Sequence, residues 1–285
     1  MPARPDHGRK PKRLPALRPS MRVVGVAGQG VDEVAGTLVR RLGAHGRVAR
    51  VRREDASADG GATVAAADAT TDYVLSGERS RVSGPSRPLD AVLDGLAPDH
   101  EYAVVTGYPD ARIPHVVVGD AAHDGEVIAR LAEPASDVAA AVEAVGALQP
   151  HETLESLVAR AKDSPEADRA GAIATFTGRV RARDDPDDPE TTHLEFETYE
   201  GVAEERMAAI REELEAREGV FEVVMHHKTG VVDAGEDIVF VVVLAGHRAE
   251  AFATVEDGIN RLKSEVPLFK KEVTLDGEFW AHQRE

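Results

Sequence analysis

The chain has 285 residues, 42% of them hydrophobic, and a formal net charge of −17. This length allows two domains, and the negative charge argues against a general nucleic-acid binder, which needs excess Lys and Arg to neutralise phosphates. There is no cysteine, which excludes disulfides, thiolate metal sites and a thiol nucleophile, so any sulfur chemistry needs a partner that carries the sulfur.

The first 20 residues are rich in proline and basic residues and lack an apolar core, so they do not form a secretory signal. We predict a disordered basic tail here, with Met21 as an alternative start of the protein. No apolar run approaches the roughly 20 residues that span a bilayer, and we expect a soluble chain in the cytoplasm. Acidic residues spread over the whole chain suggest adaptation to high salt.

From Arg22 the pattern is strand, glycine-containing turn, helix and strand, which predicts a βαβ opening and a parallel sheet. We expect an α/β domain at 21–131 and a linker at 132–151 with room for one helix. The predicted strands are 23–27, 47–51, 72–75, 102–106 and 115–118, and the predicted helices are 34–42, 88–96 and 125–131.

The turn at Gly28 and Gly30 lies where a phosphate-binding loop would lie, after the first strand and before the first helix. A P-loop needs Lys for the β/γ-phosphates and Ser or Thr for Mg²⁺, but Val31 and Asp32 occupy those positions. Two interpretations remain, a tight structural turn, which we favour, and nucleotide binding.

The first domain resembles the adapter protein of molybdopterin guanine dinucleotide synthesis, a P-loop family, at 22–51, 72–75 and 114–118. The resemblance, together with the missing lysine, implies a degenerate P-loop-like relative that acts as a scaffold rather than as an NTPase.

Beyond 151 helices and strands alternate, and an α+β domain is expected at 152–285. A polar, proline-punctuated loop at 183–190 is expected to be mobile. His226 and His227 are adjacent on a strand and should point to opposite faces, and no metal-ligand spacing stands out, so neither a metal nor a cofactor is expected. The predicted strands are 172–180, 193–199, 220–227 and 237–245, and the helices are 153–161, 202–217 and 248–265, with a final extended segment after Pro267.

Basic clusters stand near the ends of predicted elements in this acidic half. Any one of them is what a solvated surface provides, but four at element ends suggest convergence on one anion pocket. The clusters are Arg179 with Arg181, His247 with Arg248, Lys263, and Lys270 with Lys271.

Only seven of the 34 basic residues are lysine, yet three of them lie between 263 and 271. Lysine can lose its proton and arginine effectively cannot, which points to chemistry; a strand that happens to be lysine-rich is the alternative. Lys263 shares a helical face with Phe252 and Ile259, where burial would lower the pKa of its amine and make it reactive. A lysine that snorkels at the rim is the alternative, which position alone slightly favours.

Alternation along the last strand places Lys270 with Leu268 and Glu272 on one face, and Lys271 with Phe269 on the other. Only one of two adjacent lysines can face a given pocket. We assign Lys270 to the pocket.

Four segments resemble the large, catalytic subunit of molybdopterin synthase, in that family's order and spacing: 174–181, 194–199, 246–252 and 262–272. The resemblance implies an α/β hammerhead fold over about 152–285. It also implies a sulfurtransferase that converts cyclic pyranopterin monophosphate into molybdopterin, with sulfur from a thiocarboxylate on the Gly-Gly tail of a small ubiquitin-like subunit. A homodimer of this domain within a heterotetramer is expected.

The resemblance implies a pocket lined by Arg181, His247, Arg248, Lys263 and Lys270, with Arg179, Val180, Lys271 and Glu272 as further substrate-binding residues. Lys263 is the candidate acid, base or covalent group, and Lys270 its electrostatic and binding partner. Phe269 stands where family members often have Trp, so an aromatic residue is retained.

Two other functions remain open: a non-catalytic adapter that binds the small subunit or a downstream cofactor-maturation enzyme, and an NTP-dependent enzyme driven by the first domain. Retention of the pocket residues argues against the first, and the missing P-loop lysine argues against the second.

Overall fold

The computed structural model describes residues 20–53, 71–76, 79–183, 185–199 and 201–281. The chain divides into two compact units, with the boundary between Thr153 and Leu154. The predicted basic tail lies outside the described residues, apart from Ser20. Within the described ranges, no helix combines the length and the apolar character that a membrane span requires.

The first unit is a five-stranded parallel sheet, in the order β2-β5-β1-β6-β7, with an antiparallel hairpin of β3 and β4. The parallel sheet expected from the βαβ pattern is confirmed. In chain order the elements are β1 (Arg22–Gly28), α1 (Val31–Leu42), β2 (Val48–Arg52), β3 (Asp72–Ser76), β4 (Arg79–Ser83), α2 (Leu89–Leu96), β5 (Tyr102–Thr106), β6 (His115–Val118), β7 (Val127–Leu131) and α3 (Ala139–Ala147).

Helices cover both faces of this sheet, which is why β1 is an almost continuous apolar run. Val24 packs with residues of α1 and α3 in one core cluster. Val23 packs with Leu93 of α2 in another cluster, on the opposite face.

The helix predicted at 125–131 is wrong, because this segment forms strand β7, paired with β6. Val127 and Ile128 are β-branched and favour extended backbone. The open edge of β6 supplies hydrogen-bonding partners, which a local pattern of apolar residues cannot reveal.

The second unit contains two antiparallel sheets, in the orders β10-β12-β8 and β11-β9-β13-β14. The mixture of helices and antiparallel strands is the predicted α+β class. In chain order the elements are α4 (Leu154–Lys162), β8 (Ala172–Arg179), β9 (Thr191–Thr198), α5 (Val202–Glu215), β10 (Val220–His227), β11 (Gly230–Asp233), β12 (Asp237–Ala245), α6 (Arg248–Glu265), β13 (Leu268–Thr274) and β14 (Gly277–Ala281).

Strand β12 lies at the centre of the first of these sheets and is buried along almost its whole length. Val241 faces a core cluster that contains residues of α5 and α6, whereas Phe240 faces a cluster with Leu157 of α4. Helix α6 approaches β12 closely at Gly258, where an added Cβ would lie 3.1 Å from a methyl group of Val241. This contact fixes α6 against the sheet.

Two short strands of the second sheet were not predicted. Strand β11 has four residues and pairs with β9, and β14 returns from β13 through a turn that ends at Gly277 (φ 149°). The extended segment predicted after Pro267 is therefore a hairpin.

Candidate functional site

The predicted basic residues of α6 lie at opposite ends of the helix. His247 precedes the first turn of α6, Arg248 opens the helix, and Lys263 lies in its last turn. Fifteen residues at about 1.5 Å each place Arg248 and Lys263 roughly 22 Å apart along the helix axis. One copy of α6 therefore does not bring these two residues together.

Lys263 is exposed, as expected of a lysine that snorkels at the rim of a helical face. Its Nζ lies 5.9 Å from the centre of the Phe176 ring on β8. Phe252, which shares this face, is 66% exposed. The buried face of α6 is centred on Val255, Ile259 and Leu262, so Lys263 lies at its rim.

Arg179, at the end of β8, is held by neighbours in its own unit. Its Nε lies 3.0 Å from a carboxylate oxygen of Asp237, and its guanidinium donates to the carbonyl oxygen of Gly235. The next residue, Val180, is buried in the core, so any contact of Val180 with a substrate is limited to its main chain. Arg181 follows and is exposed.

The two adjacent lysines of β13 face opposite sides of the sheet, as alternation predicted. Lys271 Nζ lies 2.7 Å from a carboxylate oxygen of Glu278 and 3.5 Å from one of Glu195. The hydrogen bond that the Lys271 ammonium donates to Glu278 raises the pKa of Lys271 above its ordinary value. Lys270 Nζ is 3.8 Å from Glu272 Oε2, and its side chain is 39% exposed.

Glu272 has a second partner that the sequence did not indicate. The hydroxyl of Thr191, a buried residue at the start of β9, donates to Glu272 Oε1 at 2.5 Å. Glu272 therefore lies between Thr191, which donates to it, and the Lys270 ammonium, which is 3.8 Å away. Thr191 could not be found from the sequence, because its contact with Glu272 depends on the pairing of β9 with β13 and not on a local sequence pattern.

A second polar network fixes the end of α6 next to Lys263. The carboxylate of Glu265 accepts hydrogen bonds from Arg206 of α5 and from Arg261 (2.7 Å), and Arg261 also contacts Glu213 of α5 at 2.6 Å. The bond from Arg261 lowers the pKa of Glu265 below its ordinary value. The network ties the last turn of α6 to α5.

The glycine turn of the first unit is closely packed. Gly30 has φ 61° and precedes α1, and a Cβ added to it would lie 2.4 Å from Cγ of Pro134. Asp32, in the first turn of α1, pairs with Arg50 of β2. Pro134 and the acidic side chain thus occupy the surroundings of the turn. Nucleotide binding was not favoured from the sequence, and this packing supplies a physical reason.

His226 and His227 face opposite sides of β10, as predicted. The His226 ring stacks on Phe240 with centroids 6.4 Å apart, and the His227 ring packs edge-on against Phe196 at 4.9 Å. Burial lowers the pKa of His227. Among the residues that the structure describes, no three His, Cys, Asp or Glu side chains are grouped to hold a metal ion.

Comparison with known proteins identifies the second unit. The family model described as MoaE protein matches residues 147–265. A probable molybdopterin synthase of Haloferax volcanii is 52% identical over 271 residues, which cover 93% of this chain and 100% of that relative. The catalytic subunit of molybdopterin synthase from Oryza sativa subsp. indica is 40% identical over 128 residues, 45% of this chain and 65% of that relative.

Among solved structures, molybdopterin synthase from Staphylococcus aureus matches with a TM-score of 0.42 and 28% identity, over 48% of this chain and 94% of that chain. The similarity to the Haloferax volcanii relative, in contrast, extends over the relative's whole length and through most of both units of this chain. On that evidence this chain belongs to the molybdopterin synthase family.

Proposed function

We propose that this chain transfers sulfur from a thiocarboxylated small subunit to cyclic pyranopterin monophosphate and so forms molybdopterin. The observation that carries the proposal is the solvent exposure of two of the three clustered lysines. Lys263 is exposed and the side chain of Lys270 is 39% exposed, whereas that of Lys271 is 18% exposed. A ligand can therefore reach Lys263 and Lys270 from solvent.

The chemistry of the reaction suits these groups. The precursor carries a phosphate and the sulfur donor is a thiocarboxylate, so both reactants are anions that Arg181 and Arg248 can hold by charge-assisted hydrogen bonds. Sulfur addition and loss of water require proton exchange, which we assign to Lys263 as acid, base or covalent group. Lys270 stabilises the developing negative charge.

We also propose that the complete pocket needs two copies of the second unit. His247 and Arg248 lie about 22 Å along α6 from Lys263 in one chain, too far for one small substrate to touch both groups. A two-fold dimer can place the start of one α6 beside the end of the other. Each pocket would then combine Lys263 of one protomer with Arg248 of the second, and one small subunit would serve each pocket.

Turnover of lysine variants tests the catalytic assignment. Purified chain, precursor and thiocarboxylated small subunit are combined, and molybdopterin is measured. Lys263→Ala should lower turnover by about 100-fold or more, the usual contribution of a proton-transfer group. Lys162→Ala is the control, because Lys162 is an exposed lysine at the end of α4. Near-normal turnover of Lys263→Ala would refute the assignment.

Mixing two inactive variants tests the shared pocket. In a heterodimer of Lys263→Ala and Arg248→Ala, one pocket carries both substitutions and the other carries neither. Random exchange of subunits should therefore restore about a quarter of wild-type activity if the pocket is shared across the two-fold axis. If each pocket lies within one protomer, the mixture stays as inactive as its components.

A further inference from the structure

We propose that Thr191 is a positioning residue for the reaction, through the Glu272 carboxylate that lies beside Lys270. The inference rests on the proposed function, because it assumes that Lys270 contacts the substrate. Thr191 does not contact Lys270 itself. Thr191 acts on the Glu272 carboxylate, and this carboxylate determines where the Lys270 ammonium is held.

The two carboxylate oxygens of Glu272 have different partners. Oε1 accepts the Thr191 hydroxyl at 2.5 Å, the short distance typical of an O–H donor on an ionised carboxylate. Oε2 lies 3.8 Å from Lys270 Nζ, beyond hydrogen-bond distance. Thr191 therefore holds the carboxylate back from the ammonium, which keeps the Lys270 N–H groups available for an anionic substrate.

A β-bulge explains why Thr191 reaches this face of the sheet. Glu272 stands opposite Leu194 and Val273 opposite His193, but Thr274 stands opposite Thr191, so the register shifts by one residue. Such an extra residue re-aims the side chains beyond it. The shift brings Thr191 to the Glu272 side of the strand pair, where regular alternation would have brought Thr192.

The surroundings of Thr191 hold it in place. The residue is 4% exposed, and its main-chain N–H donates to the carbonyl oxygen of Ala182 at 2.8 Å. The hydroxyl has one proton to give, and that proton is used on Glu272. Removal of the hydroxyl leaves Oε1 of a largely buried carboxylate without this donor, and Lys270 is the nearby cation to which Glu272 can turn.

Lys271 shows how a lysine of this strand is held when neighbouring carboxylates bind its ammonium group. It is bound by carboxylates of Glu195 and Glu278 and is 18% exposed on its side chain. We expect Lys270 to become similarly engaged when Thr191 loses its hydroxyl. Substrate binding should then weaken, while the proton-transfer step at Lys263 proceeds almost unchanged.

The test compares three variants at positions 191 and 192. Thr191→Val should raise the KM for the cyclic precursor about 10-fold and change kcat less than about threefold, the pattern of lost binding. Thr191→Ser keeps the hydroxyl and should keep the wild-type KM. Thr192→Val is the matched control, because the Thr192 hydroxyl also joins β9 to β13, at the carbonyl oxygen of Val273 (3.0 Å), without touching Glu272.

A purely structural role of Thr191 would give a different result. It would lower the folded fraction, and hence kcat, at unchanged KM, and Thr192→Val would behave like Thr191→Val. Either finding overturns the proposal. Lys270→Ala distinguishes a failure of the Thr191 inference from a failure of the proposed function. If Lys270→Ala leaves KM unchanged, Lys270 does not contact the substrate and the proposed role of Lys270 is wrong. If Lys270→Ala raises KM but Thr191→Val does not, only the role of Thr191 is wrong.

A second measurement is independent of turnover. Limiting acetic anhydride labels lysine amines, and peptide mass spectrometry reads the rate at Lys270 with Lys162 as internal standard. Thr191→Val should slow labelling of Lys270 several-fold, and Thr191→Ser should not. Equal rates in wild type and Thr191→Val contradict the coupling, even if the chain proves to have no synthase activity.

Discussion

Substitution of Gly30 by alanine tests whether the turn at Gly28 and Gly30 is a closely packed structural element. Gly30 has φ 61°, a left-handed conformation in which a side chain costs about 1–2 kcal/mol. The added Cβ would also lie 2.4 Å from Cγ of Pro134, so the Pro134 ring or the turn must move. Overpacking of this kind costs typically about 1–3 kcal/mol. The expected loss of unfolding free energy is therefore about 2–5 kcal/mol.

Gly119 supplies the control for the backbone part of this loss. It follows β6, has φ 69°, and has no atom within 4 Å of an added Cβ, so Gly119→Ala should cost only the left-handed strain of about 1–2 kcal/mol. Pro134→Ala on the Gly30→Ala background should recover part of the steric loss, because it removes Cγ but leaves the Cβ of residue 134, which lies 2.8 Å from the added Cβ. A double-mutant cycle of these two residues measures that coupling directly.

Urea unfolding followed by far-UV circular dichroism gives the free energies. Fluorescence of Trp280, the only tryptophan of the chain, reports on the second unit and should be unaffected. Equal losses in Gly30→Ala and Gly119→Ala, or no coupling to Pro134, would refute the packed-turn interpretation. An open turn would again be available to an anion.

Three further substitutions test the second unit. Leu262→Ala removes a side chain that is 1% exposed and should cost about 2–5 kcal/mol of unfolding free energy in urea. His227→Gln should flatten the loss of stability as pH falls below about 6.5, because the unfolded chain protonates this histidine before the buried ring does; an unchanged pH profile would contradict this. Glu265→Gln should lower stability at pH 7, and the difference from wild type should shrink as pH falls below the ordinary glutamate pKa, since Arg261 holds the pKa of Glu265 low. A difference that does not begin to shrink below the ordinary glutamate pKa would show that the ion pair is not its source.

Long, strongly patterned elements could be predicted from the sequence. Strand β12 is a continuous apolar run, and α6 carries an apolar stripe that ends at a proline, so both were predicted with the bounds that the structure has. Segment 125–131 was not, because its state depends on the free edge of β6. Such partners are supplied by the fold rather than by the neighbouring sequence.

The candidate site shows the same division. Alternation correctly separated Lys270 from Lys271. Helical periodicity placed Lys263 with Phe252 but left the burial of Lys263 open, and the structure places both residues at the rim of the buried face. Thr191 was missed because a bulge in strand pairing directs it. The separation of Arg248 from Lys263, in contrast, follows from helix length alone.

The central claim is that this chain forms molybdopterin with sulfur from a small subunit. Its most direct test is a single-turnover reaction of wild-type chain, cyclic pyranopterin monophosphate and thiocarboxylated small subunit, in which mass spectrometry follows the small-subunit tail and molybdopterin together. We predict that one molybdopterin appears for every two thiocarboxylates that become carboxylates, because its dithiolene carries two sulfur atoms, and that neither change occurs without this chain. Binding of the small subunit without loss of its sulfur and without product would contradict the claim and would favour a non-catalytic adapter.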